Sequence, residues 1–95
     1  MIPILDTALE SAMAENKYDT KKQIAYVLSQ WEKHDDILNV ILGQNQTSEV
    51  KGALKTAYYF AQSDDMKSVI LYINEGKVEI ERIKNANTPS ISTIL

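Results

Sequence analysis

"TKKQIAYVLSQWEKHDDILNVILG" (20–43) decides the fold. Ile24, Val27/Leu28, Trp31, His34/Asp35, Leu38 and Ile41/Leu42 recur at alternating steps of three and four residues. That spacing places them along one narrow stripe of an α-helix, the pattern of a helix packed in a bundle. The stretch therefore predicts one long helix that stops at Gly43, a residue able to take the left-handed conformation found just past helix ends.

The same periodicity extends in both directions. Upstream, Leu5, Ala8, Leu9, Ala12 and Met13 share a stripe, and Pro3 suits a first helical turn because its missing N–H has no partner there. "NKYDT" (16–20) interrupts the pattern, with Asp19 or Thr20 expected to cap the long helix and Gln23 completing a capping box with Thr20. Downstream, "QNQTS" (44–48) reads as a loop with Thr47 or Ser48 as the next cap. A third helix then carries Val50, Ala53/Leu54, Ala57 and Phe60/Ala61. "QSDD" (62–65) breaks it, and a fourth helix carries Met66, Val69/Ile70, Ile73, Gly76/Lys77, Ile80 and Ile83. Ile91, Ile94 and Leu95, beyond Pro89, are expected to fold back on the helices.

With glycine only at 43, 52 and 76 and proline only at 3 and 89, the chain suits helices joined by short polar turns and suits strands badly. The expectation is an all-α, antiparallel four-helix bundle built from two helix hairpins, a single domain over residues 1–95. A shift of 45 residues brings the hairpins into partial register: Leu9 falls on Leu54, Ala12 on Ala57, Asp19 on Asp64, Ile24 on Val69 and Leu28 on Ile73. The same shift sets Trp31 opposite Gly76, the largest side chain against the smallest. Trp31 is accordingly expected to sit over Gly76 where the second and fourth predicted helices meet.

Composition bounds the function. The 95 residues are 44% hydrophobic and 24% charged, as in ordinary globular domains. Ten Lys plus Arg against thirteen Asp plus Glu give a formal net charge of -3, which supplies no electrostatic footprint for nucleic acid. Cysteine is absent, which removes disulfides and thiolate chemistry. The longest interior apolar run, "VILYI" (69–73), is too short to insert in a membrane. "MIPILDTALESAMAEN" has no basic start followed by an apolar stretch, so the expectation is cytoplasmic if Met1 is native. It is extracytoplasmic and tethered if an amino-terminal anchor has been removed.

The only Trp and the only His fall together in "WEKHDDIL" (31–38). A catalytic His needs an orienting group and a nucleophile or substrate proton in reach, and no strand–turn–helix elbow or glycine-lined loop assembles them. A bundle metal site needs a Glu three residues before a His on two helices. Here Glu32 stands two residues before His34, about 160° around the helix, and there is no second His. Phosphotransfer is disfavoured by Asp35 and Asp36 beside the imidazole, which repel a phosphoryl group. His34 is expected to make one hydrogen bond inside the bundle, to Asp35, Glu79 or Glu81. "EGKVEIERIK" (75–84) alternates charges as a solvated helix face does, and "AYYFA" (57–61) leaves Tyr58 and Tyr59 partly exposed. The sequence thus predicts no catalytic, cofactor-binding or metal-binding residues and no cofactor. It gives one candidate interaction or ligand patch of Trp31, His34, Tyr58, Tyr59, Tyr72 and Glu79.

"WEKHDDIL", the Asp-led helix that follows Asp64 and Asp65, and the tail ending "SISTIL" together resemble an uncharacterised family of small helical proteins of spore-forming Gram-positive bacteria, catalogued as domain of unknown function 4363. The resemblance spans residues 5–95. It implies an all-helical fold, no known activity and, in many members, a membrane anchor that this sequence lacks. The expected function is a non-enzymatic interaction or structural module that binds another protein or itself as a homodimer. The alternative is a small-ligand or metal sensor with its site inside the bundle near His34.

Overall fold

Helices form wherever the three-and-four spacing holds, and each ends where a residue supplies the turn. A computed structural model describes residues 1–86. Among them are five helices and no strand: α1 (Ile2–Met13), α2 (Lys17–Lys33), α3 (Asp35–Leu42), α4 (Gln44–Gln62) and α5 (Met66–Ala86). The chain is all-α. The expectation that Ile91, Ile94 and Leu95 fold back lies outside the described residues.

The α1–α2 and α4–α5 turns are built alike. Glu15 and Asp64 take the left-handed conformation, with φ of 57° and 61°. The residue after each caps the next helix: Asn16 Oδ1 accepts the Asp19 amide at 3.1 Å, and Asp65 Oδ1 accepts the Ser68 amide at 3.2 Å. The cap expected at Asp19 or Thr20 is therefore one turn earlier. Thr20 is buried, and its hydroxyl donates to the Asn16 carbonyl at 2.7 Å. Gln23 does not close a capping box but accepts from Ser11 of α1 at 2.9 Å.

These turns lie 49 residues apart (Glu15 to Asp64). The same shift superposes buried Leu5 on Leu54, Ala8 on Ala57, Ala12 on Ala61 and Ile24 on Ile73. It exceeds the shift read from the sequence by four residues, about one helical turn.

The predicted second helix is two helices. α2 ends at Lys33, and His34 leaves helical geometry (φ -108°, ψ 14°). Its amide closes a tight turn onto the Trp31 carbonyl at 3.1 Å, while its carbonyl accepts the Leu38 amide at 2.9 Å and starts α3. The charges fit this break, with Lys33 at the negative end of one helix dipole and Asp35 and Asp36 at the positive end of the next.

Gly43 alone separates α3 from α4, so the loop and cap expected at 44–48 are instead the first turn of α4. At φ 86° and ψ 156° it occupies backbone space essentially reserved for glycine. Nothing lies within 4 Å of where its Cβ would stand. Gly43→Ala should therefore cost about 1–3 kcal/mol through backbone strain alone. Urea unfolding measures it, and a loss below the low end would mean that the α3–α4 corner relaxes.

α1 packs on α2 and α5, and α4 packs on α5 and α2, with α4 and α5 the most intimate pair. Leu5, Ile24, Val27, Trp31, Leu54, Ile73 and Ile80 are wholly buried between them. Asp6 of α1 pairs with Lys77 of α5. The hydrogen bond to the Asp6 carboxylate holds that ammonium above its ordinary pKa. Gly76 does not receive Trp31. The atoms nearest a Cβ there are Leu54 Cδ2 at 3.0 Å and Ala53 Cβ at 3.8 Å, so this glycine serves the α4–α5 approach.

Candidate functional site

The six residues of the expected patch lie in five different places. Trp31 is in the core with no exposed surface, and its indole N–H is buried without an acceptor among the described residues. His34 is half-buried at the α2–α3 break. Tyr58 is half-buried beside α2, where Lys21 Nζ stands 5.7 Å above its ring centre. Tyr59 is exposed and meets Phe60 edge-on at 5.5 Å. Tyr72 stacks on the other side of Phe60 at 5.7 Å and, with Glu79, lines a groove between α4 and α5. No single pocket gathers them.

The side-chain hydrogen bond expected of His34 to Asp35, Glu79 or Glu81 is not formed among the described residues, and two of those acceptors have other partners. Asp35 Oδ2 accepts from Asn39 at 3.3 Å, and its buried Oδ1 lies 3.1 Å from Lys51 Nζ. The angles of that ion pair do not make a hydrogen bond, so charge alone matches this oxygen. Glu79 pairs with Arg82 at 3.0 Å. Thr47, buried in the first turn of α4, donates to the Asn39 side chain and completes a polar clamp of Lys51, Asp35, Asn39 and Thr47 that fastens α3 to α4. Among the described residues no group of three or more His, Asp or Glu side chains is placed to hold a metal ion, and no helix is long and apolar enough to cross a membrane.

No family model, curated protein or solved structure matches the chain. Its site must therefore be sought in its own surface chemistry.

Three features stand out there. The first is the outer face of α3, where the clamp buries Leu38 and turns Val40 (87% exposed), Ile37 (51%) and Ile41 to solvent. Ile41 was expected in the core stripe, and the break at His34 carries it out. The second is the α4–α5 groove, about 600 Å³, floored by Ala53, Leu71, Val78 and Gly52 and edged by Glu49, Glu75 and Glu79. The third is a cationic face of α2, where Lys17, Lys21 and Lys22 surround Tyr18, Ala25 and Tyr58. None of the three was read from the sequence. The signal for the first was present, since Ile37, Val40 and Ile41 are spaced by three and one on a helix flank centred about 100° round from Leu38.

Proposed function

We propose that this chain is a non-enzymatic helical interaction module that binds another protein through α3. The observation that carries this reading is the exposure of Ile37, Val40 and Ile41 on a helix otherwise locked in place by the Asp35–Lys51 ion pair and the Thr47–Asn39 hydrogen bond. A helix already fixed in place adds no backbone ordering to the cost of binding when a partner arrives. Such patches mark association sites on small domains.

The fold is read as a four-helix bundle of two hairpins, α1–α2 and α4–α5, with α3 set between them. The likeness of the two turns supports descent from one hairpin. The resemblance to domain of unknown function 4363 accords with a helical module without catalytic machinery.

Ile37→Ser, Val40→Ser and Ile41→Ser together test the binding surface. The triple variant should lose less than about 1.5 kcal/mol of stability, as surface substitutions do. Proteins retained by the immobilised wild type from a lysate of the source organism should be lost from it. Retention of the same set by both forms would sink the α3 reading. A large loss of stability would show instead that this face is packed.

A further inference from the structure

The geometry points to self-association in which the lysine–tyrosine face of α2 on one copy docks into the acidic α4–α5 groove of another. The proposal rests on the reading of an interaction module but uses a surface other than α3.

Charge complementarity carries it. Lys17, Lys21 and Lys22 gather on one side of α4, and Glu49, Glu75 and Glu79 on the other; Lys17 is held by Asp64 at 3.3 Å and Glu79 by Arg82 at 3.0 Å, which leaves Lys21 and Lys22 to face Glu49 and Glu75. A chain of net charge -3 thus separates its charges into two facing-compatible surfaces. Such pairing sets register and speeds encounter.

Shape agrees with charge. Gly52 sits mid-helix in α4, exposed, with nothing within 4 Å of the place its Cβ would occupy. Packing among the described residues therefore gives no reason for a residue that costs about 1 kcal/mol there relative to Ala. At the groove floor it lets another side chain reach the helix backbone between Leu71 and Val78, both exposed. Tyr18, 72% exposed among the lysines, is a flat apolar ring with a polar tip, suited to that floor. The long side of a body measuring 35 × 19 × 19 Å is no larger than the roughly 800 Å² per partner of a standard interface. The expected association is accordingly of modest area and, resting on charge, salt-sensitive.

Sedimentation velocity on the full chain over roughly 10 µM to 1 mM tests it, at low and high salt. The wild type should gain mass with concentration and lose that gain at high salt. Lys21→Glu with Lys22→Glu, and separately Glu49→Lys with Glu75→Lys, should each weaken association at least about tenfold. An equimolar mixture of these two variants should associate again, because each then carries the complement of the other. Gly52→Leu should weaken association while leaving the helical circular dichroism intact, and the triple serine variant of α3 should associate as the wild type does. A wild type that stays monomeric throughout, or charge variants that associate unchanged, would overturn the proposal. So would a mixture that fails to associate. Loss of association in the α3 variant alone would likewise overturn it, while leaving the module reading intact with α3 as the self-association surface. A monomeric wild type that still captures its partner through α3 would separate the two readings in the other direction.

Discussion

Trp31→Ala should cost about 3–5 kcal/mol, the largest single-residue loss in this protein. The indole is wholly buried in the last turn of α2. Removing it leaves a cavity in the core that its neighbours cannot close without giving up other contacts. Against the roughly 5–15 kcal/mol that holds a small domain together, such a loss brings the variant near the folding threshold. Trp31→Phe separates two terms. It removes part of the ring volume, but it also removes an indole N–H that is buried with no acceptor among the described residues and carries a desolvation cost of about 1–3 kcal/mol. The phenylalanine variant should therefore recover most of the stability that alanine loses. Urea unfolding followed by far-ultraviolet circular dichroism gives both values. An alanine variant within about 1 kcal/mol of wild type would mean that the ring is not a core residue.

Helical identity was legible in the sequence because burial repeats at the helical period. The stripes from Leu5 to Ala12, Ile24 to Trp31, Val50 to Ala61 and Val69 to Ile83 are the buried faces of α1, α2, α4 and α5. The break at His34 was not legible from periodicity. Trp31 and Leu38 are seven residues apart, a step that keeps both on the core side whether the helix runs on or stops and restarts. The signal was electrostatic: Lys33 followed by Asp35 and Asp36 reverses charge across one residue, as a helix end followed by a helix start requires.

The shift between the hairpins shows the same limit. Shifts of 45 and 49 residues differ by about one turn, so both lay apolar residue on apolar residue. What distinguishes them is the left-handed residue followed by a capping side chain, at Glu15–Asn16 and at Asp64–Asp65. That is turn chemistry, invisible to a stripe. The candidate patch dispersed for a related reason. A shared helical face says which side chains point inward, but it does not say which helices are neighbours. Tyr58 faces α2, and Tyr72 faces α4.

Gly76→Val should destabilise the protein by about 1–3 kcal/mol, whereas Gly52→Ala should stabilise it by about 1 kcal/mol. Both glycines lie inside long helices, where helix propensity alone gives them the same cost. Their surroundings differ. A Cβ at position 76 would meet Leu54 Cδ2 at 3.0 Å and Cγ at 3.4 Å. Leu54 is itself wholly buried, so it can yield only by disturbing the core. The γ-methyls of valine extend that collision, and the overpacking exceeds any gain in helix propensity. Gly76→Val combined with Leu54→Ala should then cost less than the sum of the two single changes, because the shortened side chain vacates the space. Additive losses would place the collision elsewhere. At position 52 nothing is met, so alanine gains its helix propensity without opposition. If Gly52→Ala stabilises the monomer yet weakens self-association, the glycine is there for the groove and not for the fold.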